Sequence, residues 1–227
     1  MLKKGPHPYM PPTSAEQPAR KAGDGCIKAV LFDFDGTLTT PGALDFPAIR
    51  SDLCCPPNTP ILEYIQSMKD TRAQHAAMQR LTELEIQAAR QSMPNKEALE
   101  TVAWIKRRRL PLGIITRNSR ASVLCALENF YPLSPQDFNL IITREDPPAP
   151  KPSGEGILWA ACSLHVLPQE ILMVGDYLFD CQAGQAAGAV SVLLDPGNDP
   201  RLAAAECDHR IGRLAQIKEL LKSSFRV

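Results

Sequence analysis

The chain of 227 residues carries 25 Lys+Arg and 25 Asp+Glu, for a formal net charge of zero, and 44% of its residues are hydrophobic. That length suits one sizeable core plus a small second module, and the neutral balance excludes an electrostatic case for nucleic acid or an anionic membrane as partner. Seven cysteines, odd in number and without metal-ligand spacing, argue against a disulfide framework and for a reducing cytosol.

Residues 1–25 hold five prolines and three glycines and little that can be buried, so a disordered leader is expected there. No apolar core follows the two N-terminal lysines, and no run approaches the roughly 20 apolar residues of a membrane span, so a cytoplasmic protein is expected. From residue 27 onward apolar runs alternate with helical patterns, which predicts an α/β fold with a parallel sheet and helices on its faces. Strands are predicted at 27–33, 111–115, 138–142, 170–174 and 190–194, with a weaker sixth near 208–211. Helices are predicted near 97–108 and 152–165. The basic run Lys106 to Arg109 ends the first of these, where cations complement the helix dipole.

Between the first strand and the helix near 97 lie about fifty residues without a strand-like run, too many for a structureless loop. Prolines punctuate the first half, and Ala77, Leu81, Leu84 and Ala88 recur at helical spacing in the second. Residues 41–94 are therefore expected to form a small helical cap over whatever the first strand presents. The division is 1–25 leader, 26–40 and 95–227 core, and 41–94 cap.

Four strand ends carry polar residues. Ala29 to Phe32 runs into Asp33 and Asp35, followed by Gly36 and Thr37. Two carboxylates at a strand end repel unless a cation lies between them, which points to a divalent metal. Aspartate is also a nucleophile that forms aspartyl-phosphates, although Asp and Gly suit a plain turn as well. Leu112 to Ile115 ends at Thr116, Arg117 and Asn118, ahead of a helix whose first amides offer an anion site; Thr116 or Asn118 would equally serve as its cap. Lys151-Pro152 follows a proline-rich loop, with Pro152 expected in the first turn of the 152–165 helix. Ile171 to Val174 ends in Gly175-Asp176, with Asp180 four residues on.

The string Asp33-Phe34-Asp35-Gly36-Thr37-Leu38 resembles the first motif of the haloacid-dehalogenase-like (HAD) phosphohydrolases, and Thr116, Lys151 and Gly175-Asp176 match the three others in order. The overall pattern is similar to the phosphoglycolate-phosphatase-like branch. The resemblance implies an HAD-like, Rossmannoid, three-layer parallel sheet with the cap inserted after the first strand. It implies a magnesium-dependent phosphatase acting on a small phosphorylated metabolite, phosphoglycolate-like or a sugar phosphate. Asp33 would be the nucleophile and Asp35 the general acid and base; Thr116 and Lys151 complete the catalytic set. Phosphate would be held by Asp35, Gly36, Thr116, Arg117, Asn118 and Lys151. Magnesium would be held by Asp33, Asp176 and the main-chain oxygen of Asp35. Asp180 would bind metal, orient a water ligand or contact Lys151, unless it is an ordinary first-turn acid.

Asp35 argues for phosphate esters, because dehalogenating and phosphonate-cleaving relatives lack the second acid. A phosphomutase on the same core, or a non-catalytic regulatory protein on it, are the alternatives. Arg50, Tyr64, Lys69, Arg72 and His75 are the cap side chains with the chemistry to contact a leaving group, although such residues more often face solvent. A monomer is expected, with a dimer as the alternative.

Overall fold

The computed structural model describes residues 26–224. Six strands form one parallel sheet: β1 (Ala29–Phe32), β2 (Leu112–Ile115), β3 (Leu140–Ile142), β4 (Ile171–Gly175), β5 (Val190–Leu194) and β6 (His209–Ile211). Their order is β3-β2-β1-β4-β5-β6. All five pairings are parallel, with Phe32 opposite Ile114 on one side and Val174 on the other. The chain direction across the sheet therefore reverses between β1 and β4, and the carboxyl ends of those two strands flank the crevice where such sheets take ligands. The six strands fall within or beside the ranges the sequence predicts, including the weak sixth.

These strands are buried on both faces, which is why they read as unbroken apolar runs. Alternate residues serve opposite layers. Val30 and Phe32 pack with α4 (Ala98–Arg107), α5 (Arg120–Leu127) and α8 (Ile217–Ser224). Ala29 and Leu31 pack with α6 (Glu155–Leu164) and α7 (Leu178–Ala187). Each fully buried Phe, Leu or Ile contributes about 1.5–3 kcal/mol, so the two layers dominate stability. Lys106 and Arg107 lie in the last turn of α4, as dipole complementation expects.

The stretch after β1 holds α1 (Phe46–Asp52), α2 (Ile61–Gln66) and α3 (Thr71–Ala89). Asp45 and Asp70 start α1 and α3 by accepting the amides of Ala48 and Arg72. These helices share a separate cluster built on Leu44, Ile49, Leu53, Leu62, Ile65 and Leu81, while α3 also lies along α5.

One boundary differs from expectation. Helix α6 begins at Glu155, not at residue 152, so Lys151-Pro152 stands in the loop ahead of it. Gly154 precedes the first turn without a side-chain cap, and the Ser153 hydroxyl accepts the Glu155 amide at 3.2 Å. The expected leader, 1–25, lies outside the described residues. Among the described residues no helix is long and apolar enough to cross a membrane, and all seven cysteines are free thiols.

Candidate active site

Asp33 follows the last residue of β1, and its amide bonds Val174 O at 2.8 Å, which continues the β1–β4 ladder to the sheet's edge. The chain then turns sharply through residues 34–38. Gly36 sits at φ +75°, and a Cβ there would collide with the Asp176 carboxylate, so only glycine allows this approach. The Thr39 hydroxyl accepts the Gly36 amide, and the Asn95 side-chain amide donates to the carbonyls of Gly36 and Thr37 at 3.2 and 2.9 Å.

Four of the predicted residues meet here. Lys151, 4% exposed, donates to Asp33, and to Asp180 Oδ1 at 2.6 Å. The other Asp180 oxygen accepts the Tyr177 amide at 3.1 Å, so Asp180 both contacts Lys151 and helps start α7. Carboxylate oxygens of Asp33, Asp176 and Asp180 lie within 4.8 Å of one another. This acidic cluster includes the side chain of Asp180 and leaves out that of Asp35, the third metal residue expected from sequence through its main-chain oxygen.

Burial sets the electrostatics. It pushes the Asp176 carboxyl up to about 8, with the charges of Asp33 and Asp180 adding to the effect. Asp33 is pushed up to about 6, again by burial first, with Lys151 opposing. Burial would lower Lys151, but Asp180 and Asp33 outweigh it and hold the ammonium above its ordinary range. Three carboxylates against one lysine leave excess negative charge, and hard oxygen donors of this kind suit a divalent cation. The donor set thus fits magnesium.

Asp35 stands apart from that cluster. Its carboxyl accepts the Asn118 side-chain amide and is held well above the usual carboxylate range, chiefly by burial and further by Asp33 and Glu85. Thr116 is buried at the end of β2, its hydroxyl accepting the Asn118 amide at 3.1 Å. Neither caps α5: Ser119 does, through the Ser122 amide.

The Arg117 guanidinium bonds Glu63 of α2 at 2.6 Å and the Lys151 carbonyl, and lies over the Phe179 ring. Lys69, Arg72 and His75 are exposed, Tyr64 packs within the α1–α3 cluster, and Arg50 bonds the Thr59 carbonyl.

Sequence reasoning missed Glu85. This α3 carboxylate, 4% exposed, accepts Arg144 at 2.5 Å and the Ser119 amide at 3.1 Å. Arg144 also donates to the Thr82 hydroxyl at 2.7 Å. The signal was present: Glu85 is four residues after Leu81 and beside Leu84, a charge on the apolar stripe of α3. Asn95 gave no such signal.

A parallel sheet whose strand order switches direction between β1 and β4, with acids and a lysine gathered at that point, is the arrangement of an α/β enzyme. Comparison with known proteins narrows this. The family model described as haloacid dehalogenase-like hydrolase matches residues 52–194, and the chain belongs to that family. An uncharacterized hydrolase of Saccharomyces cerevisiae is 32% identical over 169 residues, 74% of this chain and 77% of the relative. A phosphoglycolate phosphatase of Chromobacterium violaceum is 26% identical over 220 residues, 87% and 97% of the two chains. The crystal structure of a hydrolase from Pseudomonas syringae superposes with a TM-score of 0.72 at 20% identity, covering 86% of this chain and 98% of that one. The family match begins beyond Asp33 and Asp35, so those two acids rest on their own motif and on the geometry above.

Proposed function

We propose that the chain is a magnesium-dependent phosphatase that hydrolyses a small phosphorylated metabolite through an aspartyl-phosphate on Asp33. The observation that carries this is the buried Asp33–Lys151–Asp180 array beside Asp176, with Asp35 two residues on from Asp33 and its carboxyl raised well above the usual range by burial.

Asp33 attacks phosphorus, and the ester P–O bond breaks as Asp35 hands its proton to the leaving oxygen. Asp35 then takes a proton from the water that hydrolyses the acyl phosphate, returning Asp33 to its starting state. A raised pKa is what the first role needs near neutrality. Lys151 keeps Asp33 ionised and faces the phosphoryl oxygens, where a fixed cation stabilises developing charge. Thr116 accepts from the Asn118 amide and keeps its O–H to donate to phosphate. Asp33, Asp176 and the main-chain oxygen of Asp35 would hold magnesium, with Asp180 alongside; when bound, the ion neutralises the acids and the phosphate charge.

Residues 41–94 act as a cap in this proposal. Glu85 and Glu63 tie α3 and α2 to the loops after β2 and β3, excluding bulk water from the reaction. The protein works as a monomer, and zero net charge gives it no electrostatic handle on nucleic acid.

The test is phosphate release from a panel of phosphorylated metabolites with magnesium, with EDTA, and with Asp33→Asn. Metal-dependent release lost in the variant is the expected result. Full activity in Asp33→Asn would overturn the covalent mechanism, and phosphoryl transfer to a second hydroxyl in place of phosphate release would identify a mutase.

A further inference from the structure

Between Asp35 and α3 lies a cavity of about 10 Å³, close to the least space that one water needs. Asp35, Asn118, Leu44, Glu85, Ala88 and Ser92 are among the residues that line it. Two features of this wall specify what enters it.

The first is charge. Among the described residues no Lys, Arg or His lines the cavity. The nearby cations already have carboxylate partners: Arg144 has Glu85, Arg117 has Glu63, and Lys151 has Asp33 and Asp180. A carboxylate or second phosphate on the leaving group would be desolvated beside Glu85 with no cation to receive it, which is strongly unfavourable. The second is an unmet hydrogen bond. Ser92 is 3% exposed and its hydroxyl has no partner, although buried polar groups are ordinarily satisfied. Glu85 accepts two N–H groups and keeps further lone pairs free.

We infer that the leaving group is a short, uncharged, hydroxylated alcohol whose second hydroxyl occupies this cavity, between the Ser92 hydroxyl and the Glu85 carboxylate. The inference rests on the phosphatase proposal and deepens it. In this arrangement the oxygen leaving phosphorus meets Asp35, and the second hydroxyl meets Ser92 and Glu85. It separates this chain's substrate from 2-phosphoglycolate, which carries an anion at that end.

The experiment compares kcat/KM for 2-hydroxyethyl phosphate, ethyl phosphate and 2-phosphoglycolate, with magnesium, in the wild type and in Ser92→Ala. The first and last share a two-carbon skeleton and differ in the hydroxyl or carboxylate at its end. The wild type is expected to prefer 2-hydroxyethyl phosphate over 2-phosphoglycolate by about tenfold or more. Ser92→Ala is expected to lose about fivefold on 2-hydroxyethyl phosphate while ethyl phosphate stays within about twofold. Equal or better use of 2-phosphoglycolate, or an equal loss on both neutral esters, overturns the inference. If the folded wild type hydrolyses none of the three, that result bears on the phosphatase proposal, which the wider panel tests, and leaves the cavity to be read by binding. Calorimetric binding then decides the cavity: about tenfold tighter binding of 2-hydroxyethyl phosphate than of 2-phosphoglycolate upholds it, and anything less overturns it.

Discussion

Removing the metal and raising the pH should destabilise this protein, and Asp176→Asn should cure it. Burial and the neighbouring acids push Asp176 up to about 8 and Asp33 to about 6. In the unfolded chain both titrate near 4, so over the interval from about pH 4 to 8 the metal-free native state binds more protons than the unfolded one. Stability is therefore greatest below about pH 4 as far as these groups are concerned, and is lost as the pH climbs through 6 and then 8. For Asp176 a shift of about four units at about 1.4 kcal/mol each sets a ceiling near 5–6 kcal/mol. Local relaxation and water entry reduce this, and on the order of 2–3 kcal/mol is the loss we expect between about pH 5 and pH 8. For a chain of this size that is roughly 5–10 °C in Tm. Calorimetry in EDTA at the two pH values measures it directly. Magnesium at about 100 times its Kd should restore close to 3 kcal/mol at pH 8, and much less at pH 5, where protons compete for the same oxygens. Asp176→Asn should be the more stable protein at pH 8 without metal, and should gain little from magnesium. A wild type whose metal-free Tm is flat from pH 5 to 8, or a variant less stable at pH 8, would refute the idea that these acids are crowded to receive a cation.

Asp35→Asn should reduce turnover of alkyl phosphates by about 10²–10⁴-fold, the usual size of a general-acid contribution, while acetyl phosphate, whose leaving group needs no proton, loses far less; equal losses on both would deny Asp35 the acid role. Glu85→Gln breaks an ion pair whose partners are 4% and 5% exposed and should cost about 3–5 kcal/mol in urea unfolding, against less than about 1 kcal/mol for Arg80→Ala at the exposed Asp52 pair. Equal costs would show that the Arg144–Glu85 contact is not desolvated. Glu63→Gln loosens the Arg117 contact at the half-exposed end of the insertion and should change stability by less than about 1 kcal/mol. If α2 holds the site closed, it should lower kcat/KM several-fold; unchanged kinetics would remove α2 from the closure.

What the sequence made legible follows from where burial is uniform. All of β1 and β4 is buried on both faces, so each strand is an apolar run that ends abruptly at its first acid, and Asp33 and Asp176 mark the strand ends in the sequence itself. Gly36 is legible for a related reason, since a glycine directly after an acid at a strand end announces a turn. The partner of each acid is another matter. Lys151 reaches Asp33 across 118 residues, and Asn118 reaches Asp35 across 83, and nothing local encodes such a pairing; the resemblance to a family supplied the first and not the second. The Arg117 guanidinium contacts to Glu63 and to the Lys151 carbonyl are likewise not encoded locally.

The insertion obeys different rules from the sheet, and that difference locates specificity. Its helices bury one stripe each, so polar residues within that stripe are the informative ones, and an apolar-periodicity argument passes over them. Glu85 is such a residue, 4% exposed, and Ser92, 3% exposed, lies just beyond the end of α3; both line the cavity beside Asp35. Burying a carboxylate costs several kcal/mol unless it is paired, and burying a lone hydroxyl costs about 1–3. Arg144 offsets the first cost; nothing in the protein offsets the second. A core shared across a family handles phosphate in one way, so the residues that choose among esters must lie where the shared pattern stops. In this chain the unmet Ser92 hydroxyl and the paired Glu85 carboxylate line the same cavity as Asp35, and the Ser92→Ala comparison decides whether the choice is made there.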